Sequence, residues 1–144
     1  MDQSIGIIGC GAIGQALLRA AESGAMVGTV AGVTSRTEST ARAFLSTLRN
    51  PPPYLDRDSL IERASLVVEM AGGHVFPDLA RDTFSSGKDL MVISIGALLE
   101  YPEVIEQSRI SGCRLLAPSG AIAGLDGIKS ACAGVVDRVV MVSR

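Results

Sequence analysis

The chain has 144 residues, 47% of them hydrophobic and 19% charged, with a formal net charge of −2. That is the composition of a folded chain able to build one domain with a real core, or one domain and the start of another. The near-neutral charge, the lack of a Lys/Arg cluster and the few aromatics (two Tyr, three Phe, no Trp) exclude an electrostatic or stacking surface for nucleic acid.

No apolar run approaches the roughly 20 residues that span a bilayer. Met1 to Ser4 lacks the basic start of a signal peptide and leads straight into a strand, so a cytoplasmic protein is expected. The chain opens on an apolar run, Ile5-Gly6-Ile7-Ile8, which breaks into Gly9-Cys10-Gly11-Ala12-Ile13-Gly14. Ile13, Ala16, Leu17, Ala20 and Ala21 then recur at helical spacing, Gly24 stops the helix, and Val27 to Thr34 reads as a second strand. Strand, G-x-G-x-x-G, helix, strand is the context in which the glycine pattern predicts a dinucleotide site. Gly9 permits a tight turn, Gly11 lets a pyrophosphate approach the backbone, and Gly14 lets helix and strand pack closely. The helix start at Ala12 and Ile13 offers free N–H groups and a positive dipole end to phosphates.

An NAD-preferring site places Asp or Glu at the end of the second strand. Here the strand ends Val33-Thr34-Ser35-Arg36-Thr37, with no carboxylate. Arg36 can pair with a 2′-phosphate and Ser35 adds a hydroxyl, so NADP, or use of both cofactors, is favoured over strict NAD.

Ala41, Phe44, Leu45 and Leu48 mark a helix over residues 38–49 that Asn50-Pro51-Pro52-Pro53 ends. Residues 54–63 predict a short edge strand and one helical turn capped by Asp56 or Asp58. Residues 66–70 form a strand, in which Glu69 reads as a satisfied buried carboxylate without chemistry. The turn Ala71-Gly72-Gly73-His74 follows at the carboxyl edge, where ligands sit in such sheets, and is read as skirting the nicotinamide ribose. His74 is the only histidine. With no neighbouring carboxylate or second histidine it reads as a positioning or helix-start residue rather than an acid, base or metal ligand.

A helix with Pro77 in its first turn carries Phe76, Leu79, Ala80, Thr83 and Phe84 on one face, and Gly87 ends it. Residues 90–95 form a buried strand whose end, Ser94-Ile95-Gly96-Ala97, is read as lining the nicotinamide pocket. Pro102 opens a helix with Tyr101, Val104, Ile105 and Ser108 on one face, Gly112 closes it, and residues 114–117 make a short strand.

The alternation predicts an α/β fold, a Rossmann-type doubly wound parallel sheet over residues 1–117. Residues 118–144 are expected to be the first elements of a second, incomplete α+β substrate or dimerisation domain. They comprise a glycine-rich segment, a helix over 125–133 that Asp126 can cap, and a strand over 135–142. The apolar edge of that strand leaves a homodimer open. Cys10, Cys113 and Cys132 lack C-x-x-C spacing and read as small buried thiols, giving neither a metal site nor a disulfide.

Residues 118–126, Pro-Ser-Gly-Ala-Ile-Ala-Gly-Leu-Asp, resemble the signature of the L-aspartate dehydrogenase family, in which Gly more often stands at the place of Ala123. Residues 67–74 and 92–98 resemble the same family, so the likeness covers essentially the whole chain. It implies an enzyme that oxidises L-aspartate with NAD(P), hydride passing from Cα to nicotinamide to give iminoaspartate. That product hydrolyses to oxaloacetate and ammonia or feeds NAD biosynthesis. The resemblance also implies Gly9, Gly11 and Gly14 as the phosphate loop and the backbone near Ala121 as a nicotinamide contact. The sequence departs from the family where an acidic residue is often found, at Ser35 or Arg36. The family's catalytic histidine lies in a second domain, and His74 does not match it. No catalytic residue is therefore assigned, and the 144-residue chain alone is expected to bind cofactor and turn over little. A non-catalytic NAD(P)-binding sensor or partner module, and a homoserine dehydrogenase-like enzyme, remain the alternatives.

Overall fold

A computed structural model describes residues 3–118 and 132–140. Five parallel strands, β1 (Ser4–Ile8), β2 (Thr29–Thr34), β3 (Leu66–Glu69), β4 (Asp89–Val92) and β5 (Leu115–Leu116), lie in the order β2-β1-β3-β4-β5. The α-helices among the described residues are α1 (Ala12–Glu22), α2 (Glu38–Leu45), α3 (Arg57–Arg63), α4 (Phe76–Ser85), α5 (Ala97–Glu100) and α6 (Glu103–Ser111), and one 3-10 turn, Gly73–Val75, leads into α4.

Tyr54 adds one parallel bridge to Val33, flanked by Val33 N–H donating to the Pro53 carbonyl and Leu55 N–H to the Val33 carbonyl, both at 2.9 Å. Counted as a strand position, that bridge makes the order 3-2-1-4-5-6, the doubly wound arrangement expected. The predicted edge strand shrinks to this one bridge because the three preceding prolines have no N–H to extend a ladder.

The central strands β1 and β3 are buried on both faces, as parallel strands between helices must be. On one face Leu66 and Val68 of β3 join Ile5, Ile7, Leu18 and the α2 residues Ala41, Phe44 and Leu45. On the other, Val67 joins Leu60 and Ile61 of α3, Phe76, Leu79, Ala80 and Phe84 of α4, and Val104 of α6. The predicted apolar face of α4 is thus buried throughout, with Thr83.

Several expectations are corrected. α1 buries Gly14 and Leu18, while Ile13 is 57% exposed. Gly14 lies directly against the Gly9 carbonyl, and that approach turns the Gly14–Leu18 line to the sheet instead of the Ile13–Ala16 line. β2 begins at Thr29, since Gly28 at φ 105° interrupts the extended backbone and leaves Val27 exposed. α2 stops at Leu45, although turns beyond it still bury Leu48. α3 runs for seven residues, capped by Asp56, which accepts from the Ser59 N–H at 2.9 Å. The short α5 follows β4, which ends three residues earlier than predicted, and Ile105 of α6 is 39% exposed.

Residues 135–140 form no strand and are exposed, because no described residue supplies backbone partners for a ladder. Of the helix predicted over 125–133 only Cys132 and Ala133 are described, in a turn; Ala121, Asp126 and most of the 118–126 signature lie outside the described residues. Cys10 is buried, Cys113 half-buried and Cys132 exposed, so burial was wrongly expected of the last. Among the described residues no helix is long and apolar enough to cross a membrane.

At the opposite edge from the glycine loop, Asp89 accepts from the Arg114 backbone N–H at 2.7 Å and from its Nε and Nη2 at 2.9 and 2.7 Å, joining β4 to β5. Burial pushes the Asp89 carboxyl up, but the Arg114 hydrogen bonds and charge outweigh it and hold the group below its ordinary value. A carboxyl lowered in the folded state contributes stability above its unfolded pKa of roughly 4, and loses it as pH falls through the folded value. Asp89→Asn should therefore be less stable than wild type at pH 7 in denaturant titrations. The difference should close as both are titrated towards about pH 2.

Candidate functional site

The sheet order reverses between β1 and β3, and the loops at their carboxyl ends form the crevice where ligands bind in this fold. β1 leaves the sheet through Gly9 at φ 111°, whose N–H donates to the Thr34 carbonyl at 2.9 Å. A Cβ at Gly9 would lie 2.5 Å from the Met70 carbonyl oxygen, so only glycine lets this loop pass between the ends of β2 and β3.

Gly11 differs. Its φ is −80°, open to any residue, and a Cβ there would meet no atom within 4 Å. Nothing in the fold requires glycine at this position; what a side chain would fill is the space in front of α1. That helix start has no side-chain cap and no acidic residue in its first turn, so its N–H groups have no partner among the described residues and are suited to an anion. Gln15 holds the loop by donating from Nε2 to the Cys10 carbonyl at 3.1 Å. Burial pushes the Cys10 thiol up, away from the reactive thiolate.

Two cavities open beside the loop. One of about 220 Å³ is lined by Gly9, Gly11, Ser35, Arg36 and Ala71. The other, of about 290 Å³, has walls of Ile8, Ala71, Val75 and Leu79, with Arg36, Arg57 and His74 around them. The structure thus gathers Gly9, Gly11, Ser35, Arg36, Ala71 and His74 at one place, with Ala12 and Ile13 on the exposed first turn of α1. His74 is exposed, and its ring folds back towards Gly72. Ser94 lies across β3 from this group, bonded to Glu69, and Gly96 is exposed at the start of α5.

Two contributors escaped the sequence reading. Tyr54 donates its hydroxyl to the Ser35 carbonyl at 2.8 Å and takes the Arg42 guanidinium 4.8 Å above its ring, fixing the loop that carries Arg36. Arg57, held by Asp82 at 2.7 Å, enters the larger cavity from α3, and no local pattern announces that.

Residues 9–118 match the family described as homoserine dehydrogenase, NAD binding domain. The chain belongs to that family. It is 34% identical to L-aspartate dehydrogenase 3 of Bordetella bronchiseptica over 99% of this chain and 53% of that protein. It is also 34% identical to L-aspartate dehydrogenase of Bradyrhizobium diazoefficiens, over 97% of this chain and 50% of that one. The resemblance carried by residues 67–74, 92–98 and 118–126 thus agrees with relatives of that name. The chain spans about half the length of the curated relatives it matches.

Among solved structures, a homoserine dehydrogenase from Thiobacillus denitrificans superposes with a TM-score of 0.69 at 20% identity, covering 90% of this chain and 32% of that one. UDP-N-acetylglucosamine 3-dehydrogenase from Acidithiobacillus ferrooxidans gives 0.72 at 15% identity, covering 91% and 43%. At such identities these establish the fold alone, a Rossmann-type parallel sheet.

Gly11→Ala separates folding from binding. It should leave the thermal midpoint unchanged or slightly raised, since Gly→Ala at a permissive φ restricts the unfolded chain. Its affinity for a nicotinamide dinucleotide, measured by cofactor fluorescence, should fall at least roughly tenfold as the new methyl group displaces the pyrophosphate.

Proposed function

We propose that this chain is the cofactor-binding part of an L-aspartate dehydrogenase-like enzyme and that it binds NADP in preference to NAD. The observation that carries the reading is Gly11, open in front of the uncapped start of α1, with Arg36 and no carboxylate beside it. The pyrophosphate rests on the Gly9–Gly14 loop and the α1 N–H groups of Ala12 and Ile13. The adenine enters the apolar part of the larger cavity, and Arg36 and Ser35 take the 2′-phosphate. Ala71, Gly72 and His74 line the crevice beyond Gly9, and Ser94, Gly96 and Ala121 serve the nicotinamide side.

The bound cofactor supplies a hydride acceptor for the substrate's Cα. Oxidation of L-aspartate in this way gives iminoaspartate, and water then releases oxaloacetate and ammonia. The chain's own residues bind and orient the cofactor; the proton-handling group is assigned to no residue of this sequence. The names of the relatives and the 118–126 segment support aspartate as substrate. A cytoplasmic location and a homodimer belong to the same reading.

Two measurements test it. NAD(P)H formation from L-aspartate should be close to zero for this chain and robust for a protein that extends it to the length of its relatives. An extended, folded protein inactive at saturating aspartate overturns the substrate. For the cofactor, Arg36→Ala should weaken NADPH by about 1.5–3 kcal/mol, the range for a hydrogen bond to a charged group, and leave NADH nearly unchanged. Equal losses overturn the NADP preference.

A further inference from the structure

Glu69 is the one fully buried carboxylate among the described residues, and nothing above gives it a task. Four donors converge on it. The Ala71 N–H (2.7 Å), the Gly72 N–H (2.8 Å) and the Ser94 hydroxyl (3.0 Å) reach Oε1, and the Ser94 N–H (3.1 Å) reaches Oε2. A buried carboxylate carries a large desolvation cost, so an apolar side chain would close this part of the core more cheaply. The consequence of its presence lies in the peptide groups it captures.

A trans peptide holds its C=O opposite its N–H, and no described bond is cis. Drawing the Ala71 and Gly72 N–H groups into the core turns the Met70 and Ala71 carbonyls outward. The Met70 oxygen then meets the bare Cα of Gly9, which fixes the glycine loop against β3. The Ala71 oxygen turns to the crevice, and among the described residues nothing donates to it. Capturing the Ser94 N–H likewise turns out the Ile93 carbonyl, which accepts from the Ile95 N–H at 2.8 Å and closes the turn towards α5. The crevice is therefore polarised. Donors face it at the start of α1, and beyond β3 the Ala71 carbonyl has no donor among the described residues.

We propose that Glu69 is a positioning residue: by holding three backbone N–H groups and the Ser94 hydroxyl, it fixes the ends of β3 and β4 and leaves the Ala71 carbonyl as an acceptor for hydroxyl and amide donors. Such donors are the ribose hydroxyls and carboxamide of the cofactor's nicotinamide half, whereas an anion is repelled there. The proposal rests on the dinucleotide reading above. Glu69 touches no ligand and acts through Ala71, Gly72 and Ser94.

The test compares each whole cofactor with its own adenosine half on the full chain: NADPH with 2′,5′-ADP, and NADH with 5′-ADP. Glu69→Ala should weaken the whole cofactor by roughly tenfold or more, the scale of leaving buried donors unpaired, with the adenosine half within about twofold of wild type. Ser94→Ala, which deletes one donor, should show a smaller loss of the same kind. Glu69→Gln can keep the three contacts of Oε1 but sets an NH2 against the Ser94 N–H, and should fall between wild type and Glu69→Ala. If Glu69→Ala does not fold by circular dichroism, Ser94→Ala and Glu69→Gln decide. Equal losses for a cofactor and its adenosine half, or cofactor affinity unchanged in every folded variant, overturn the proposal. Wild type that binds 2′,5′-ADP or 5′-ADP no more weakly than the matching cofactor also overturns it, while leaving adenosine binding intact. Wild type that binds none of the four removes the dinucleotide reading itself.

Discussion

The close passage of one backbone across another at the reversal of strand order is the constraint on which this molecule depends. Gly9 leaves β1 with its Cα against the Met70 carbonyl at the end of β3, and its own carbonyl receives Gly14 of α1. Three segments thereby meet with no side chain between them. The approach rotates α1 so that Leu18 reaches the sheet, and it brings the helix start to the crevice mouth. A methyl group at either glycine would push these segments apart. Gly11 stands outside this constraint, which is why its lack of a side chain points to a ligand rather than to packing.

Charge and dipole are distributed around that crossing with opposite signs on its two sides. At the start of α1 the N–H groups have no partner among the described residues, with Arg36 nearby, so the β1–β2 side suits phosphate. Around β3 and β4 the N–H groups point in, to Glu69, and the Ala71 carbonyl is left without a donor among the described residues. In the proposed cofactor the phosphates lie in the pyrophosphate and on the adenosine ribose, and the nicotinamide-side ribose carries hydroxyl groups alone, which is the matching order. Tyr54, bonded to Ser35 and stacked under Arg42, gives the β2 end the support that Glu69 gives β3 and β4.

The share of the site that was legible in the chain is the share built from contiguous residues. The glycine loop, the missing carboxylate after β2 and the segments shared with the L-aspartate dehydrogenases can all be read in short windows, because one turn and one strand end carry them. Arg57 could not be found so: it reaches the Arg36 cavity from a helix packed later in the chain. Tyr54 looked like a strand residue, and its hydroxyl contact depends on where the prolines lead it. Glu69 was recognisable as a buried carboxylate, but its four donors come from two different loops.

The sequence by itself determined the alternation of strands and helices, the doubly wound class and the presence of a phosphate loop. Hydrophobic period, proline and glycine act locally and leave their mark in consecutive residues. Tertiary structure decided the rest: which face of α1 is buried, that the edge strand at Tyr54 is a single bridge, and that residues 135–140 find no strand partner among the described residues. It also decided which peptide groups face the crevice with N–H and which with C=O. Those outcomes depend on close approach and hydrogen bonding between residues far apart in the chain, and no local spacing encodes them.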